Sequence, residues 1–324
     1  MTTAAELRAV CDRLRTERSA AVAVHENPDL DALGSAVGLI DLLGQLGAAA
    51  ALHVNGDQRL PQASFAPPAG AVVDGPPASG ATLYAVDTGS LPRMALSLDG
   101  WRGEIVNIDH HQDNTRFGTL NLVMPQASSV SEIVCLLADE LGLRPSPAAA
   151  TALYAGISFD TGHFRHASTG ASTFRCAARL VEDGANPTAV YAELYERRTL
   201  AEARLWAAAM LHARVAAGGR GLVSVLTQAD YTACGAPDDA GEGLVEELRS
   251  LRGVQVAALV KEQGGAHRTR VSLRSNGWDV SALAAERGGG GHRLAAGFSS
   301  DDPPEEVAEW LSSVLGERLS TASS

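Results

Sequence analysis

The first half of the chain alternates short apolar runs with stretches of helical periodicity. A continuous apolar run of this length is typical of a parallel strand that is covered on both faces. The runs that we assign to strands are Ala20–His25, Ala50–Val54, Thr82–Asp87, Glu104–Asp109 and Ala152–Asp160. The stretches Leu33–Leu46 and Ser128–Leu141 have the pattern of helices. Together these elements predict an N-terminal α/β domain with a parallel sheet.

The second half begins after the Gly-Ala-Asn-Pro sequence at 184–187. From Pro187 to Val215 the chain is rich in Ala, Leu, Glu and Arg, which predicts one connecting helix. From Gly221 onward the pattern is that of a smaller α+β domain. Its predicted strands are Leu222–Thr227, Val254–Lys261 and Arg268–Arg274, and its predicted helices are Gly243–Leu251, Val280–Arg287 and Pro304–Leu315. We therefore predict an α/β domain over 1–186, a helical linker over 187–217 and an α+β domain over 218–324.

Composition and charge narrow the function classes. The chain has 324 residues, 26 Lys+Arg against 38 Asp+Glu, and a formal net charge of -12. A general duplex-binding protein would present a large basic face, so this balance argues against long duplex nucleic acid but not against a short anionic substrate. The four cysteines form no CxxC pair, which excludes a disulfide scaffold and a zinc ribbon. With no membrane span or signal peptide in its pattern, we expect a cytoplasmic protein.

Acidic and histidine side chains follow the predicted strands. The sequence His25-Glu-Asn-Pro-Asp29-Leu-Asp31 places an imidazole and two carboxylates in one loop before a helix. An Asp before a helix often serves only as its cap, so this loop alone leaves both interpretations open. Further strand ends carry Asp87, Asp109-His110-His111 and Asp160. In open α/β sheets functional groups gather at the carboxyl ends of strands, so we expect these side chains to converge.

Convergence of Asp29, Asp31, Asp87 and Asp160 would place four carboxylates in one cleft. Their mutual repulsion would raise several pKa values and destabilise the fold unless cations were bound. Two divalent ions would cancel that charge, with His25 and His110 completing the ligand shells. A mixture of nitrogen and oxygen ligands suits Mn²⁺. A pair of such ions predicts metal-assisted hydrolysis of a phosphoester.

A glycine run marks the second domain, at Gly288-Gly-Gly-Gly-His292-Arg293. Glycines let backbone N–H groups approach a phosphate closely, and an arginine such as Arg274 offers a planar fork for two phosphate oxygens. Between Lys261 and Gly297 six basic residues stand against three acidic ones, a local charge of +3. A flexible loop on a solvated face is the alternative interpretation of the glycines.

These ordered motifs resemble the DHH phosphoesterase superfamily, and Gly288–His292 resembles the glycine-rich motif of its DHH-associated C-terminal domain. By length and layout the chain resembles the nanoRNase and pAp phosphatase (NrnA-like) proteins. Asn114 and Phe164-Arg165 also fit the motif pattern of this family. The resemblance implies that 1–186 is the metal-binding catalytic domain and that 218–324 binds substrate. It implies a cleft between the domains, with the linker as hinge, and the possibility of a homodimer.

The resemblance also implies roles for individual residues. His25 and Asp29 would bind the first metal, Asp31 the second, and Asp87 both, while His110 and Asp160 would complete the second site. His111 would act on the scissile phosphate and Asp109 would orient a histidine. The expected cofactor is two Mn²⁺ ions, with Mg²⁺ or Co²⁺ as substitutes. Substrate contacts are expected from Arg274, Ser275, Asn276, Gly289, Gly290, Gly291, His292 and Arg165.

Four functions are compatible with this resemblance. The first is hydrolysis of short oligoribonucleotides and of 3'-phosphoadenosine 5'-phosphate (pAp) to mononucleotides. The second is hydrolysis of c-di-AMP or its linear product pApA. A RecJ-like single-strand exonuclease is less favoured because the chain has no room for further nucleic-acid-binding regions. A non-catalytic nucleotide-binding regulator is disfavoured because every metal-ligand position is retained.

Overall fold

The computed structural model describes residues 3–321, apart from 57, 62, 68, 95 and 265–267. It divides the chain into two compact units, Met1–Arg197 and Arg198–Ser324. Each unit contains a six-stranded sheet. The fold is therefore α/β in the first unit and mixed α/β in the second, which confirms the predicted fold class.

The first unit is built on a parallel sheet with the strand order β3-β2-β1-β4-β5-β6. Every pairing in it is parallel; Ala20 of β1, for example, pairs with Ala50 of β2 and with Thr82 of β4. Its strands are β1 Ser19–Ala23, β2 Ala49–Val54, β3 Val72–Asp74, β4 Thr82–Val86, β5 Glu104–Asp109 and β6 Leu120–Val123. Val22 and Ala21 belong to separate apolar clusters, because successive side chains of a strand point to opposite faces. Both faces of the central strands are therefore covered.

The α-helices of the first unit, in its described residues, are α1 Thr3–Thr16, α2 Leu30–Gln45, α3 Val130–Leu141, α4 Pro147–Asp160, α5 Ala171–Glu182 and α6 Pro187–Tyr195. Helices α2 and α4 pack closely, and Gly34 of α2 makes this possible. A Cβ atom on Gly34 would overlap the carbonyl oxygen of Ala152 in α4. Since that oxygen belongs to the backbone of a helix, a side chain at position 34 would force the two helices apart.

The predicted strand Ala152–Asp160 is wrong: this segment is the larger part of helix α4. An apolar run of this length does not distinguish a buried strand from a buried helix, and burial of residues 152–158 explains the run. The sequence did contain signals for the start of this helix: the hydroxyl of Ser146 accepts the backbone N–H of Ala149, and Pro147 occupies the first turn. Asp160 therefore lies at the end of a helix. The short strands β3 and β6 were not predicted.

The second unit contains a mixed sheet with the strand order β11-β12-β10-β9-β8-β7; among its described residues β8 and β9 pair in parallel and the other neighbouring strands pair antiparallel. The strands are β7 Arg214–Ala216, β8 Gly221–Leu226, β9 Val256–Glu262, β10 Thr269–Ser275, β11 Gly290–His292 and β12 Ala295–Ser300. The helices are α7 Leu200–Leu211, α8 Gln228–Cys234, α9 Leu244–Arg249, α10 Val280–Ala285 and α11 Pro304–Thr321. All three strands and three helices predicted from Gly221 onward are present within a few residues.

The single helix predicted over the linker 187–217 is instead two helices and a short strand. Helix α6 ends at Tyr195, and Thr199 begins α7 with a capping box that it shares with Glu202. Val190 of α6 is buried in the core of the first unit, and Leu205 of α7 in a core of the second. The two helices thus belong to different units. Within the described residues, no helix is long and apolar enough to cross a membrane.

Candidate metal and phosphoester site

The candidate site lies where the strand order of the parallel sheet reverses. Successive strands move outward from β1 to β3 in one direction and from β4 to β6 in the other. In such sheets ligands bind in the crevice beyond the carboxyl ends of the strands on either side of the reversal. His25 follows β1, Asp87 follows β4, and Asp109 ends β5. Asp160 reaches the same crevice from the C-terminal end of α4.

Asp87 lies at the centre of this crevice. Its Oδ2 atom is 3.7 Å from Nε2 of His25, and its Oδ1 atom is 3.7 Å from Nε2 of His110. The Nε2 atom of His110 is in turn 3.2 Å from Oδ2 of Asp160. Asp87 has a positive φ of 52°, a strained conformation for a residue with a side chain. The backbone at Asp87 therefore directs its carboxylate between two histidines.

In the part of the chain that the structure describes, the ligand-type atoms form three overlapping groups, in each of which all atoms lie within 4.8 Å of one another. Asp87 takes part in two of these groups and His110 in two. The groups are His25-Asp29-Asp87, Asp87-His110-His111 and Asp31-His110-Asp160. The six residues that the sequence singled out as metal ligands are thus brought together.

The electrostatics of the crevice favour cations. Burial, followed by the charges of Asp31, Asp29 and other carboxylates, raises the pKa of Asp87 well above its ordinary value. Burial and the same two neighbours raise the pKa of Asp160 to about 9. The Oδ1 atom of Asp87 is buried and accepts no hydrogen bond from the described part of the chain. An unsatisfied buried carboxylate oxygen among imidazole nitrogens is a donor set that suits a borderline divalent ion.

Asp29 and Asp31 also serve the helices around the crevice. Oδ1 of Asp29 accepts hydrogen bonds from the backbone N–H groups of Asp31 at 2.9 Å and Ala32 at 3.0 Å. The carboxylate of Asp31 accepts from the backbone N–H groups of Val130 at 2.6 Å and Ser131 at 2.9 Å, at the start of α3. The helix-cap interpretation of Asp29 and its place in the cluster are therefore both correct. The start of α3 fixes Asp31 in position.

Asp109 and His111 form a pair beside the cluster. Burial alone would raise the pKa of Asp109, but hydrogen bonds from His111, Asn114 and the backbone N–H of His110 lower it. The hydrogen bond with Asp109 raises the pKa of His111 above its ordinary value. An imidazole that is held in this way keeps one orientation and favours its protonated form.

Comparison with known proteins places this geometry in a family. Residues 19–157 match the family described as "DHH family, N-terminal domain", and residues 220–320 match the "DHHA1 domain". The chain is 32% identical over 278 residues to the "Probable bifunctional oligoribonuclease and PAP phosphatase NrnA" of Streptococcus mutans, covering 85% of this chain and 87% of that protein. This chain belongs to the DHH family.

Two further comparisons agree with this result. The "Bifunctional oligoribonuclease and PAP phosphatase NrnA" of Thermus thermophilus is 34% identical over 286 residues, covering 85% of this chain and 82% of that protein. A crystal structure of an exopolyphosphatase-related protein from Bacteroides fragilis has a TM-score of 0.77 at 22% identity, covering 98% of this chain and 97% of that chain. The second likeness concerns the fold alone. Recognition of the DHH and DHHA1 domains from the sequence is thereby confirmed.

Arg93 is a lining residue of the DHH-domain crevice that the sequence analysis missed. It lies on the short 3-10 helix Leu91–Arg93, which the backbone holds beside His25 through the bridge between His25 and Met94. The predicted Arg165 does not line the crevice; it is exposed, and its Nε atom donates to the carbonyl oxygen of Gly162 at 2.8 Å. For Arg93 the sequence did hold one signal, because Arg93 follows Asp87 after a short segment that contains Gly-Ser-Leu-Pro.

In the DHHA1 domain the glycine run lines a cavity of about 640 Å³ together with Arg270 and Arg274. Gly290 and Gly291 lie on β11, which pairs with β12. A Cβ atom on Gly289 would overlap the carbonyl oxygen of Gly297, so this glycine is required by backbone packing in addition to any ligand. The Nε atom of Arg274 lies 2.6 Å from a carboxylate oxygen of Glu246.

Three predicted substrate residues do not line this cavity. The hydroxyl of Ser275 donates to the carbonyl oxygen of Trp278, and Asn276 donates to that of Val254 at 3.0 Å. Their side chains therefore hold the turn after β10. His292 is exposed at the end of β11 and is not part of the cavity lining. The contact of these three residues with a substrate stays a prediction.

Proposed function

We propose that the chain is a two-metal phosphoesterase, with Mn²⁺ as its metal, that hydrolyses short oligoribonucleotides and pAp to mononucleotides. The observation that carries the proposal is the position of Asp87, whose buried carboxylate lies between His25 and His110 with one oxygen unsatisfied. A carboxylate in this position is suited to bridge two ions. The raised pKa values of Asp87 and Asp160 support the proposal, because burial and the neighbouring carboxylates disfavour their charged forms without cations.

The broader class follows from membership of the DHH family. The chain is a hydrolase that acts on phosphate esters, as are relatives named bifunctional oligoribonuclease and PAP phosphatase at 32% and 34% identity. We transfer their two substrates, short oligoribonucleotides and pAp, to this chain as part of the proposal. The net charge of -12 supports short substrates, because little basic surface is left to follow a long nucleic acid.

The proposal assigns the ligands to two ions. His25 and Asp29 would hold the first ion, Asp31, His110 and Asp160 the second, and Asp87 both. Bound there, the pair of ions would supply an activated water and stabilise the charge on the phosphate and its leaving oxygen. The strained backbone at Asp87 and the start of α3 at Asp31 would keep these ligands in place with no rearrangement on binding.

The other residues of the crevice would act on the substrate directly. His111, held by Asp109, would place an N–H group against the scissile phosphate or donate a proton to the leaving oxygen. Arg93 would attract the anionic substrate into the crevice. In the DHHA1 domain, Arg270, Arg274 and the glycine backbone line a cavity with the chemistry of a phosphate site. We propose that this cavity binds a phosphate of the same substrates.

A substrate panel tests the proposed function. The metal-free protein, reloaded with Mn²⁺, Mg²⁺ or Co²⁺, is given pAp, a ribodinucleotide and c-di-AMP, and kcat/KM is measured for each. We expect turnover of pAp and of the dinucleotide that requires metal and is fastest with Mn²⁺. Preference for c-di-AMP would instead favour the cyclic dinucleotide activity. If the metal-loaded protein binds all three tightly but turns none over, the proposed enzymatic activity is refuted and a nucleotide-binding regulator is supported.

A further inference from the structure

A pair of stacked phenylalanine rings lies next to the metal crevice. Asp160 and Ser168 both line the crevice, and Phe164 lies on the loop between them. The ring of Phe164 stacks on that of Phe174 in α5, with centroids 5.4 Å apart and planes at 19°. Tyr154 contacts Phe164 from the protein interior, with ring centroids 6.0 Å apart. The pair thus extends an internal aromatic contact outward to the surface.

The outer member of the pair is open to solvent. Phe174 is 56% exposed, although its helix offers buried positions on the opposite face. A large aromatic side chain that stacks on one face and exposes the other leaves a flat apolar surface available to a planar ligand. A second aromatic group continues this surface. It consists of His163, Tyr191 and Tyr195, with ring centroids 4.8 to 5.4 Å apart.

Hydrogen bonds fix the position of Phe174 relative to the crevice. The hydroxyl of Thr173, the residue before it, donates to the carboxylate of Glu132 at 3.0 Å. The same Glu132 oxygen accepts the hydroxyl of Ser128 at 2.6 Å, and Ser128 lines the crevice. The start of α5 is therefore connected to the crevice wall through one buried carboxylate. These bonds hold the backbone at Phe174 in place relative to the crevice wall.

The charge beside the rings is positive. Phe164 is followed by Arg165 and Phe174 by Arg175, and both arginines are exposed. Neither forms an ion pair with a carboxylate in the part of the chain that the structure describes. Sites for single-stranded nucleic acid combine cationic side chains, which contact the phosphates, with aromatic faces, on which the bases stack. The chain as a whole has a net charge of -12, so the exposed arginines beside these aromatic rings form a local positive region.

We propose that the open face of Phe174 stacks a nucleobase of a short single strand whose scissile phosphate lies in the metal crevice. Arg165 and Arg175 would contact the phosphates that flank this base. The inference rests on the proposed function and deepens it, because it predicts a substrate-length preference. A strand with an additional nucleotide would gain a stacking contact that pAp, which has a single base, does not make.

Length-resolved kinetics test this subsite. The ratio of kcat/KM for a ribotrinucleotide to kcat/KM for pAp is measured with Mn²⁺ for the wild type and for Phe174→Leu and Phe174→Trp. Leucine keeps apolar bulk but has no aromatic face, so we expect the ratio to fall by about 5- to 150-fold, through KM for the trinucleotide. Tryptophan should retain the ratio. Val181→Ala is the matched control, since Val181 is 43% exposed on the same helix and should leave the ratio unchanged.

Each outcome decides between the explanations. A wild type that hydrolyses neither substrate refutes the proposed function, and the inference with it. A wild type that hydrolyses both, with an unchanged ratio in Phe174→Leu, overturns the inference alone. Sedimentation of each variant measures its oligomeric state and tests whether the exposed ring is a contact between copies of the chain. If Phe174→Leu dissociates a larger species and slows both substrates equally, the exposed ring is a contact between copies of this chain and the nucleobase subsite is refuted.

Discussion

The Oδ1 atom of Asp109 lies 2.8 Å from the Nδ1 atom of His111, and the Asp109 side chain is completely buried. The same oxygen accepts the backbone N–H of His110 at 2.8 Å. One carboxylate oxygen therefore holds the imidazole of His111, which faces the crevice, and the backbone of His110, which belongs to the cluster of metal-ligand candidates. This arrangement gives Asp109 a positioning role, since it touches the crevice only through its neighbours.

Replacement of Asp109 tests that role. Asp109→Asn removes the charge that holds the pKa of His111 above its ordinary value, so this pKa should fall. If the imidazolium of His111 assists the reaction, the alkaline limb of the pH profile of kcat moves to lower pH, and kcat falls by about 10- to 100-fold. The measurement is kcat for pAp across the pH range. An unchanged alkaline limb together with a lower kcat would assign Asp109 a purely structural role.

The metal-free protein should become less stable as the pH rises. The pKa of Asp160 is raised to about 9 in the folded state, mainly by burial, so the folded protein retains a proton that the unfolded chain loses near its ordinary pKa. The resulting stability is complete below about pH 4 and is lost progressively as the pH rises toward about 9. Asp87, whose pKa is also raised, acts in the same direction.

Thermal unfolding with EDTA checks this prediction. The Tm of the metal-free wild type should fall more steeply between about pH 5 and about pH 9 than that of Asp160→Asn, which has no proton to lose there. Adding Mn²⁺ should restore the Tm of the wild type at high pH, because bound metal stabilises only the folded state. Parallel Tm curves for the two metal-free proteins would contradict the raised pKa.

Loss of the central carboxylate should abolish activity. Asp87→Asn keeps the size of the side chain but removes the charge between His25 and His110, so we expect kcat/KM to fall by about 1000-fold or more. The number of tightly bound Mn²⁺ ions per chain should fall below two. Asp99→Asn, an exposed Asp on the same unit and outside the crevice, is the matched control. Two retained ions with substantial activity would refute the bridging position.

Close packing of α2 against α4 should be sensitive to a single methyl group. Gly34→Ala places a Cβ atom against the carbonyl oxygen of Ala152, so the free energy of unfolding should fall by about 1–3 kcal/mol. Activity should fall as well, because Asp31 lies on the same turn of α2. Gly44→Ala on the same helix is the control: its Cβ atom would meet nothing within 4 Å, so this variant should be at least as stable as the wild type. Urea unfolding measures the free energy of unfolding of both variants.

Arg93 should contribute to substrate binding. Arg93→Gln removes a positive charge from the lining of the crevice, and we expect KM for pAp to rise by about 10-fold with a smaller change in kcat. Arg93→Lys should recover part of the loss, since it restores the charge without the planar fork. Arg102→Gln, an exposed arginine outside the crevice, provides the comparison. An unchanged KM in Arg93→Gln would remove Arg93 from the substrate site.

The sequence predicted the metal-ligand candidates better than the elements that carry them. His25, Asp87 and His110 were placed at strand ends, and the structure agrees. Asp160 was assigned to the correct cluster for the wrong reason, because the helix α4 was taken for a strand. Apolar periodicity is lost when a helix is buried on nearly every side, so pattern alone could not distinguish the two.

The predicted substrate residues lie in different parts of the structure. Arg274 and the glycines of the run line one cavity, and Ser275 and Asn276 hold a turn, while Arg165 is exposed beside the crevice, where we propose that it contacts a phosphate. Neighbouring residues on a strand point to opposite faces, so adjacency to a binding residue is poor evidence of contact with a ligand. Arg93 is the converse case: the short 3-10 helix after β4 brings it to the crevice, and its position shortly after Asp87 was the one signal for it in the sequence.

By itself, the sequence determined the chemistry of this protein: which side chains are nitrogen and oxygen donors, that they follow apolar segments, and that their charge requires cations. These properties depend on residue type and order, which the chain carries without folding. Only the tertiary structure decided which donors lie close together, that Asp87 lies between two histidines, and that Phe174 presents an open ring beside the crevice. Such relationships join residues far apart in the chain, and they are set by strand order, helix packing and buried hydrogen bonds that no local pattern encodes.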